Sequence, residues 1–281
     1  MRTQARKKDI VQRIAVFMVG NPSGTDGTRF YELVHILTWR NLKVRYRGSV
    51  LGIYWSLLNP IIMTAVYSAI FSATFARYYQ GSPLRYALAV FIGLVAVNFF
   101  SAATAQALPT VVSGGMLLNK IKLPPAIFPV SMVAAHTFQL VAGNLPALAV
   151  ITVLVARNPY HLLLLPLPIA AVIILSLGVA FFVSSLYVFF RDIPYLYELV
   201  TFLLWLTVPI FYPVAIVPEH LRSFLWLNPL YPVIESLRQI ALDRAMPDPR
   251  LIGIALLEAL VILAFGWLVF AANRRKFMDF V

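Results

Sequence analysis

Two helical stripes of aromatic side chains are the residues of this sequence best suited to hold a ligand. The first stripe comprises Tyr67, Phe71, Phe75 and Tyr78, and the second comprises Phe202, Trp205 and Tyr212. Sugar rings present flat C–H faces that stack on aromatic rings, and neighbouring polar groups can bond the sugar hydroxyls. The stripes therefore indicate a path for a carbohydrate. The alternative is that they only pack helices together or form the aromatic belts of a membrane protein.

No arrangement of side chains in this sequence indicates catalysis. Cysteine is absent, and the histidines, His35, His136, His161 and His220, are far apart and form no H-E-x-x-H pair. No segment matches G-x-x-x-x-G-K-[ST], the loop that holds nucleotide phosphates, so the sequence indicates no nucleotide-hydrolysing site of that kind. We therefore expect no catalytic, cofactor or metal site. A membrane glycosyltransferase is the alternative among enzymes, but no inner connection carries two carboxylates at metal-binding spacing.

The composition is that of an integral membrane protein. Of the 281 residues, 60% are hydrophobic and 12% are charged, whereas soluble domains average about 25% charged residues. The formal net charge is +12, and the cations gather beside the ends of apolar segments. This distribution indicates anionic lipid headgroups as partners and argues against nucleic acid.

Six apolar segments are long enough to cross the hydrocarbon layer, which takes about 20 apolar residues per helix. Their approximate limits are 50–76, 87–112, 127–156, 161–188, 197–217 and 251–272. Lys and Arg favour the cytoplasmic side, and both the segment before residue 48 and the sequence Asn273-Arg274-Arg275-Lys276 are basic. The pattern predicts an all-α, six-helix multi-pass protein with both ends in the cytoplasm.

An amphipathic helix is predicted to precede the first crossing. The chain divides into a cytoplasmic tail at 1–27, this helix at 28–47 and the six-helix membrane domain at 48–281. One stripe of the helix carries Phe30, Leu33, Val34, Leu37 and Val44. We expect it to lie along the cytoplasmic interface, either as a membrane anchor or as a docking surface for a cytoplasmic partner.

Two connections are predicted to contain short helices. The inner connection at 113–125 has a glycine pair, a short amphipathic turn and a Pro-Pro stop. The outer connection at 218–249 is too polar to cross, and Asn228-Pro229 divides it into two short helices that rest in the outer interface or dip partly back. Irregular backbone at that depth must be shielded by protein or water.

Polar residues inside the apolar segments are candidates for function because they are costly in lipid. They are Asn98, Gln106, His136, Gln139, Asn144 and Glu258. Hydrogen bonds between helices explain His136 and Gln139 more simply than a binding site does. Asn144-Leu145-Pro146 predicts a kink, and Glu258 either pairs across the bundle or is protonated.

Four sequence motifs in order resemble those of a known family of transport proteins. They are RNLKVRYRGSVLGIYWSLLNP from residue 40, NKIKLPP, FFRDIPY and VPEHLRSFLWLNPLYPVIESLRQ. Together they resemble the permease subunit of ABC-2 type transporters that export O-antigen, teichoic acid or capsule. The resemblance extends over nearly the whole chain from about residue 28, and the first 27 residues are outside it.

The resemblance implies a homodimer of six-helix subunits in the bacterial inner membrane. Two copies of a separate ATPase subunit would bind ATP and Mg, and a lipid-linked glycan would be the substrate. The first and fifth crossings would line the conduit, and the outer segment would close it, with Phe224, Trp226, Asn228 and Tyr231 as candidate gate residues.

Two groups of residues on the cytoplasmic side follow from the same resemblance. Arg45 and Arg47, beside the flexible turn from Gly48 to Gly52, would receive the pyrophosphate of the lipid-linked glycan. The alternative is that these arginines only set the membrane orientation. Coupling to the ATPase is assigned to Arg40, Lys43, Leu117, Asn119, Lys120 and Lys122, where an ordinary surface turn is the alternative for the last four.

The function expected from these observations is export of a lipid-linked polysaccharide, most simply of the O-antigen type. Permeases of the same type that export teichoic acid, capsule, a drug or a small lipid are the alternatives. The aromatic stripes and the amphipathic outer segment favour a polymer.

Overall fold

The computed structural model describes residues 26–118 and 123–280. Within these ranges the regular elements are helical and strands are absent, so the predicted all-α class is confirmed for this part of the chain. In chain order the helices are α1 (Asp26–Arg45), α2 (Trp55–Phe75), α3 (Pro83–Ala107), α4 (Thr110–Ser113), α5 (Gly115–Leu118), α6 (Ile127–Gln139), α7 (Leu145–Val155), α8 (Pro159–Leu164), α9 (Pro166–Phe189), α10 (Ile193–Thr207), α11 (Glu219–Leu225), α12 (Leu230–Leu242), α13 (Pro249–Asn273) and α14 (Phe277–Phe280). A π-helical turn, Leu140–Asn144, joins α6 to α7.

Five helical rods in the described ranges are long and apolar enough to cross a membrane. They are Gly52–Tyr78, Pro83–Ala107, Ile127–Val155, Pro159–Phe189 and Pro249–Asn273. Each coincides, within a few residues, with one of the apolar segments predicted from the sequence. The chain is therefore a multi-pass membrane protein.

The predicted crossing at 197–217 forms a shorter helix than expected. Helix α10 has 15 residues, which at 1.5 Å per residue gives about 22 Å, less than the ~30 Å hydrocarbon layer. The helix ends because Val208 precedes Pro209, whose ring forces the preceding residue out of the helical region; Val208 has ψ 131°. The predicted helix limit at residue 217 is therefore wrong, and six crossings remain a prediction.

Three of the five rods begin with the same local signal, a polar residue followed by proline. The pairs are Ser82-Pro83, Asn158-Pro159 and Asp248-Pro249. In each pair the polar side chain accepts a backbone N–H of the first helical turn, at 3.3, 3.1 and 2.9 Å. Proline fits at this position because its missing N–H would have had no helical partner. The start of these helices is thus fixed locally by sequence.

Helix α3 is the central helix of the bundle. Its buried residues lie on all sides, and Tyr86, Ile92 and Phe100 are each less than 2% exposed. Helices α2, α9 and α12 pack around it. Since α3 contacts so many elements, side chains on it can fix the positions of segments that are far apart in sequence.

Helices α9 and α13 make a backbone-to-backbone contact at two glycines. A Cβ on Gly266 would lie 2.0 Å from the carbonyl oxygen of Gly178, and a Cβ on Gly178 would lie 2.6 Å from the Cα of Leu263. No side chain larger than hydrogen fits at this crossing. Small residues at such contacts are typical of membrane helices, which lack a hydrophobic driving force for association in lipid.

Helix α1 packs its apolar side against α6 and a second cluster of buried residues. Leu33 and Leu37 are buried in this cluster with Phe128 and Phe277. Val44 is 67% exposed. No described residue covers that side of the last turn, and the predicted place of this apolar stripe along the cytoplasmic interface stays a prediction.

The outer connection contains two helices, α11 and α12, as predicted from Asn228-Pro229. Helix α12 is buried along its length and packs against α3, α7 and α13. Ile234, Leu237 and Ile240 are each at most 2% exposed. This helix therefore lies inside the bundle, and its polar residues need partners there.

Candidate functional site

A polar cavity of about 440 Å³ lies beside the last turn of α1. Its walls come from the end of α1, the first turns of α2, the middle of α3 and the junction of α6 with the π-helical turn. The polar lining residues are Arg45, Ser56, Asn59, Asn98, Ser101, His136, Gln139 and Asn144. We call this site the polar cavity.

The π-helical turn shapes one wall of the polar cavity. It ends at Asn144, two residues before Pro146, where the sequence predicted a kink. Gly143 within the turn allows α2 to approach, since a Cβ there would lie 2.5 Å from Oγ of Ser56. Such turns re-aim side chains and are frequent at functional sites, and here Gln139 and Asn144, at its two ends, both line the cavity.

Arg45 joins α1 to α6 by hydrogen bonds inside the cavity. Its Nη1 donates to Oε1 of Gln139 at 3.2 Å and lies 3.3 Å from Nδ1 and 3.0 Å from Nε2 of His136. Nε2 of His136 is also 3.3 Å from Oε1 of Gln106 on α3. A neutral imidazole with its proton on Nε2 satisfies both neighbours, because it accepts from Arg45 at Nδ1 and donates to Gln106.

Arg45 carries the positive charge of the cavity. Burial lowers the pKa of its guanidinium group below the usual value, but arginine remains protonated at neutral pH. The lining residues include no Asp or Glu. Among the lining residues the cation therefore has neutral dipoles as neighbours, and a phosphate or another anion would find a charge that no carboxylate of the lining neutralises.

Two amide atoms of the cavity lack hydrogen bonds in the described part of the chain. Nε2 of Gln139 and Oδ1 of Asn144 are buried without a partner, and the two side chains are 6% and 5% exposed. A buried polar group without a bond costs about 1–3 kcal/mol. One is a donor and the other an acceptor, so a ligand with hydroxyl groups could satisfy both.

The structure brings only one of the two predicted gate arginines into the cavity. Arg47 is exposed and does not line it. The turn that follows has positive φ at Gly48 (78°) and Gly52 (53°), and the N–H of Gly52 donates to Oγ of Ser49 at 3.0 Å. This tight turn directs the chain from α1 into α2 and leaves Arg47 on the surface.

Part of each predicted aromatic stripe forms ring contacts. Phe71 stacks with Tyr67 and with Phe75 at centroid distances of 6.2 and 6.0 Å. Phe202 stacks with Trp205 at 6.3 Å. The first stripe packs partly against the main core, whereas Phe202 is 55% exposed. Helix packing thus explains part of the first stripe, and a channel-lining role remains a prediction.

Phe211 joins the two stripes. Its ring centroid is 3.8 Å from that of Tyr67 and 5.1 Å from that of Trp205. We call the continuous series Phe202, Trp205, Phe211, Tyr67, Phe71 and Phe75 the aromatic path. Sequence reasoning missed Phe211 because it lies after the end of α10, where helical periodicity no longer predicts which residues share a face.

Two predicted stripe residues lie elsewhere. Tyr78 ends a 3₁₀ turn and has the guanidinium carbon of Arg77 4.9 Å from its ring centroid; with three residues per turn, this turn rotates Tyr78 off the helical face. Tyr212 follows the end of α10 and donates its hydroxyl proton to the carbonyl of Thr207 at 3.0 Å. Placing Tyr212 on a helical stripe was wrong because the helix ends before it.

The candidate outer-gate residues divide into two exposed and two buried side chains. Phe224 and Trp226 are 62% and 44% exposed, and Trp226 makes an edge contact with Tyr231 at 5.2 Å. Asn228 is buried, and its Nδ2 donates to the carbonyl of Leu204 at 2.9 Å and to Oγ1 of Thr207 at 2.8 Å. Asn228 thus ties the outer connection to the end of α10.

The candidate coupling residues are only partly covered by the structure. Burial lowers the pKa of Arg40, which is partly buried on α1, and Lys43 is exposed. Leu117 packs against the cluster that contains Leu33. Asn119, Lys120 and Lys122 lie outside the described residues, so their role stays a prediction.

The remaining polar candidates within the described ranges include Asn98 and Glu258. In the described ranges no group of three or more His, Cys, Asp or Glu is placed to hold a metal ion. Nδ2 of Asn98 donates to Oδ1 of Asn59 at 3.1 Å, which ties α3 to α2. Oε2 of Glu258 is buried without a hydrogen-bond partner among the described residues.

Sequence similarity to known proteins extends over most of this chain. The family described as "ABC-2 type transporter" matches residues 32–242. An O-antigen export system permease protein RfbA of Myxococcus xanthus is 26% identical over 246 residues, which cover 86% of this chain and 93% of the relative. A protein of the same name from Klebsiella pneumoniae is 24% identical over 251 residues, covering 89% and 95%. The match of the family to most of the chain, together with the helical membrane architecture, shows that this protein belongs to the ABC-2 type transporter family.

Proposed function

We propose that this chain is the membrane subunit of an ATP-driven exporter that moves a lipid-linked polysaccharide of the O-antigen class from the cytoplasm across the bacterial inner membrane. The observation that carries the proposal is the similarity to O-antigen export permeases over almost the whole length of both chains. The continuous aromatic path supports it, since rings at successive positions suit a chain of sugars.

ATP is hydrolysed on a separate subunit. The sequence has no G-x-x-x-x-G-K-[ST] loop to hold nucleotide phosphates, and the family is one of transport permeases. Two copies of an ABC ATPase, each with ATP and Mg, would bind a homodimer of this chain. Arg40, Lys43 and the segment that includes Leu117 would receive the movement of the ATPase.

The polar cavity serves as the cytoplasmic entry site for the lipid-linked substrate. Arg45 offers a cation without a carboxylate partner among the lining residues, which suits the pyrophosphate that links lipid to glycan. Arg47 lies outside the cavity and guides the anion from the surface.

The aromatic path leads the glycan onward from the entry site. In the homodimer, α2 and α10 of both subunits line the conduit, with sugar rings passing along Tyr67, Phe71 and Trp205. Phe224 and Trp226 close the outer end, and Asn228 and Tyr231 hold the closing segment in place.

The test is reconstitution of the chain with its ATPase in lipid vesicles. We expect lipid-linked O-antigen glycans to stimulate ATP hydrolysis, and the purified chain alone to hydrolyse no nucleotide. Stimulation of ATP hydrolysis by teichoic acid or capsule precursors instead would indicate that one of those polymers is the substrate. Stimulation by drugs or small amphiphiles, with no response to any lipid-linked glycan, would show that the proposed substrate class is wrong.

A further inference from the structure

Side chains hold the irregular segment that follows α10. The carbonyl of Pro209 accepts from Nη1 of Arg238 at 2.8 Å, and the carbonyl of Ile210 accepts from Nη2 of the same residue at 3.0 Å. The carbonyl of Phe211 accepts from the hydroxyl of Tyr86 at 2.8 Å. Three successive backbone carbonyls thus bond to side chains of α12 and α3.

Arg238 is built into this position. It is 6% exposed, and its Nε donates to the carbonyl of Ala89 on α3 at 3.1 Å. Glu235, one helical turn earlier, is 3.9 Å away. The planar guanidinium group directs three N–H groups toward three carbonyls at once, which the single ammonium centre of lysine cannot do.

The physical need for these bonds is clear from the burial of the segment. Val208 and Ile210 are at most 1% exposed, and Pro209 has no N–H with which to continue a helix. Irregular backbone inside a membrane protein persists only where other groups satisfy its polar atoms. Arg238 and Tyr86 provide those groups, and they hold the segment against the central helix.

The segment also carries Phe211, the residue that joins the two aromatic stripes. Its carbonyl is fixed by Tyr86 and its neighbour's carbonyl by Arg238, so the ring is held between Tyr67 and Trp205. Without these bonds, the backbone of the segment would have to find other partners, and the ring would move.

We propose that Arg238 and Tyr86 are positioning residues that clamp the segment after α10, and that Phe211, held by this clamp, is a substrate-contacting residue of the aromatic path. The clamp itself follows from the hydrogen bonds. The contact between Phe211 and substrate rests on the proposed function, so the two parts are tested separately.

The clamp is tested by cross-linking, because the chain has no cysteine of its own. Tyr67→Cys and Phe211→Cys are introduced together into the chain, which is expressed with its ATPase, and membranes are treated with a short bifunctional thiol reagent. We expect efficient cross-linking in this parent. The cross-link yield should fall about fivefold with Arg238→Lys and about twofold with Tyr86→Phe, since each lost bond frees part of the segment.

Arg222→Lys is the matched control. Arg222 also donates to two backbone carbonyls, of Val217 at 3.0 Å and Ala215 at 3.2 Å, and has a Glu three residues earlier, but it holds a different loop. Its substitution should leave the cross-link yield unchanged. Unchanged yields with both Arg238→Lys and Tyr86→Phe would overturn the clamp. If the Arg238→Lys protein fails to accumulate, the cross-link yield of Tyr86→Phe, which lacks only one hydroxyl, decides whether the clamp exists.

The role of Phe211 is tested by polysaccharide export in cells. Phe211→Leu should lower export about tenfold at unchanged protein level, because the stacking surface is lost, while Phe211→Tyr should retain export. Phe265→Leu, an exposed ring on α13, is the control and should export normally. Normal export by Phe211→Leu overturns the substrate contact. If the native complex exports no polysaccharide, the proposed function fails, and the cross-linking result still decides the clamp.

Discussion

Two arginines, Arg45 and Arg238, show how the surroundings of one residue type indicate different roles. The donors of Arg238 go to backbone carbonyls, so this side chain is fully used in holding the fold. Arg45 bonds only neutral side chains and borders a cavity with two unbonded amide atoms. A cation with such neighbours gains more from an anionic ligand than one whose donors are already occupied.

The first residue-scale prediction concerns Arg45. Arg45→Met keeps most of the aliphatic stem but removes the charge, so we expect export to fall about tenfold, as the loss of a charge-assisted bond implies. Arg47→Met is the matched control and should change export by less than about twofold, because Arg47 does not line the cavity and an exposed charge outside a binding site contributes little. Surface polysaccharide per unit of permease is the measurement. Equal losses in both variants would show that the two residues act only through membrane orientation.

Asn228 gives a second prediction, on stability. Asn228→Leu removes the donor to Leu204 and Thr207 and leaves buried groups unbonded, which costs about 1–3 kcal/mol. We expect a lower midpoint of thermal unfolding in detergent. Ser223→Ala, at an exposed position of α11, should leave the midpoint unchanged. An unaltered midpoint for Asn228→Leu would mean that the tie between α10 and the outer connection is not stabilising.

At the scale of elements, helix ends and helix contacts are set by different residues. Proline and a preceding polar residue fix where α3, α8 and α13 begin, and Pro209 fixes where α10 ends. The contact between α9 and α13 is set instead by two residues without side chains, 88 positions apart in sequence, because only glycine allows the backbones to meet.

Gly266→Ala tests this contact. The added Cβ would lie 2.0 Å from the carbonyl oxygen of Gly178, so the helices must separate, and we expect a lower unfolding midpoint and less protein in the membrane. Gly253→Ala on the same helix is the matched control, since its Cβ would meet nothing within 4 Å. The unfolding midpoint of Gly253→Ala should equal or exceed that of the parent, because alanine favours the helix more than glycine does. Equal stability of both variants would contradict the close crossing.

At the scale of the whole molecule, much apolar surface of α2 and α10 remains exposed in a single chain. Ile61, Val66 and Ile70 of α2 are 45–62% exposed, and Leu199 and Leu203 of α10 are 54% and 48% exposed. In a membrane such surfaces contact lipid tails or another helix. The homodimer proposed for this chain would place α2 and α10 along the conduit.

The topology prediction depends on whether α10 crosses. If it does, both ends are cytoplasmic, so Tyr31→Cys and Met278→Cys should react with an impermeant thiol reagent only in inverted vesicles, and Ala215→Cys only from outside the cell. All three positions are exposed, and the parent has no cysteine to react. Reaction of Met278→Cys from outside, while Tyr31→Cys still reacts only in inverted vesicles, would show an odd number of crossings.

The sequence by itself determined the class of protein and most of its helices. Apolar segments near the length of a membrane span, proline-linked starts and basic ends are local properties, so five rods, the π-helical kink before Pro146 and the division at Asn228-Pro229 could all be predicted. The aromatic stripes could be predicted in part, because a period of 3.6 residues identifies the face that a side chain occupies while the helix continues.

The tertiary structure alone decided which of these residues meet. Arg45 reaches the polar cavity and Arg47 does not, although the two are neighbours in sequence, because the turn at Gly48 follows and α6 supplies the partners of Arg45. Phe211 joins the stripes because side chains of α3 and α12 hold a segment that has lost helical periodicity. Such contacts depend on how helices rotate and pack. A sequence pattern predicts which side chains share a helix face, but it carries no information about which other element packs against that face.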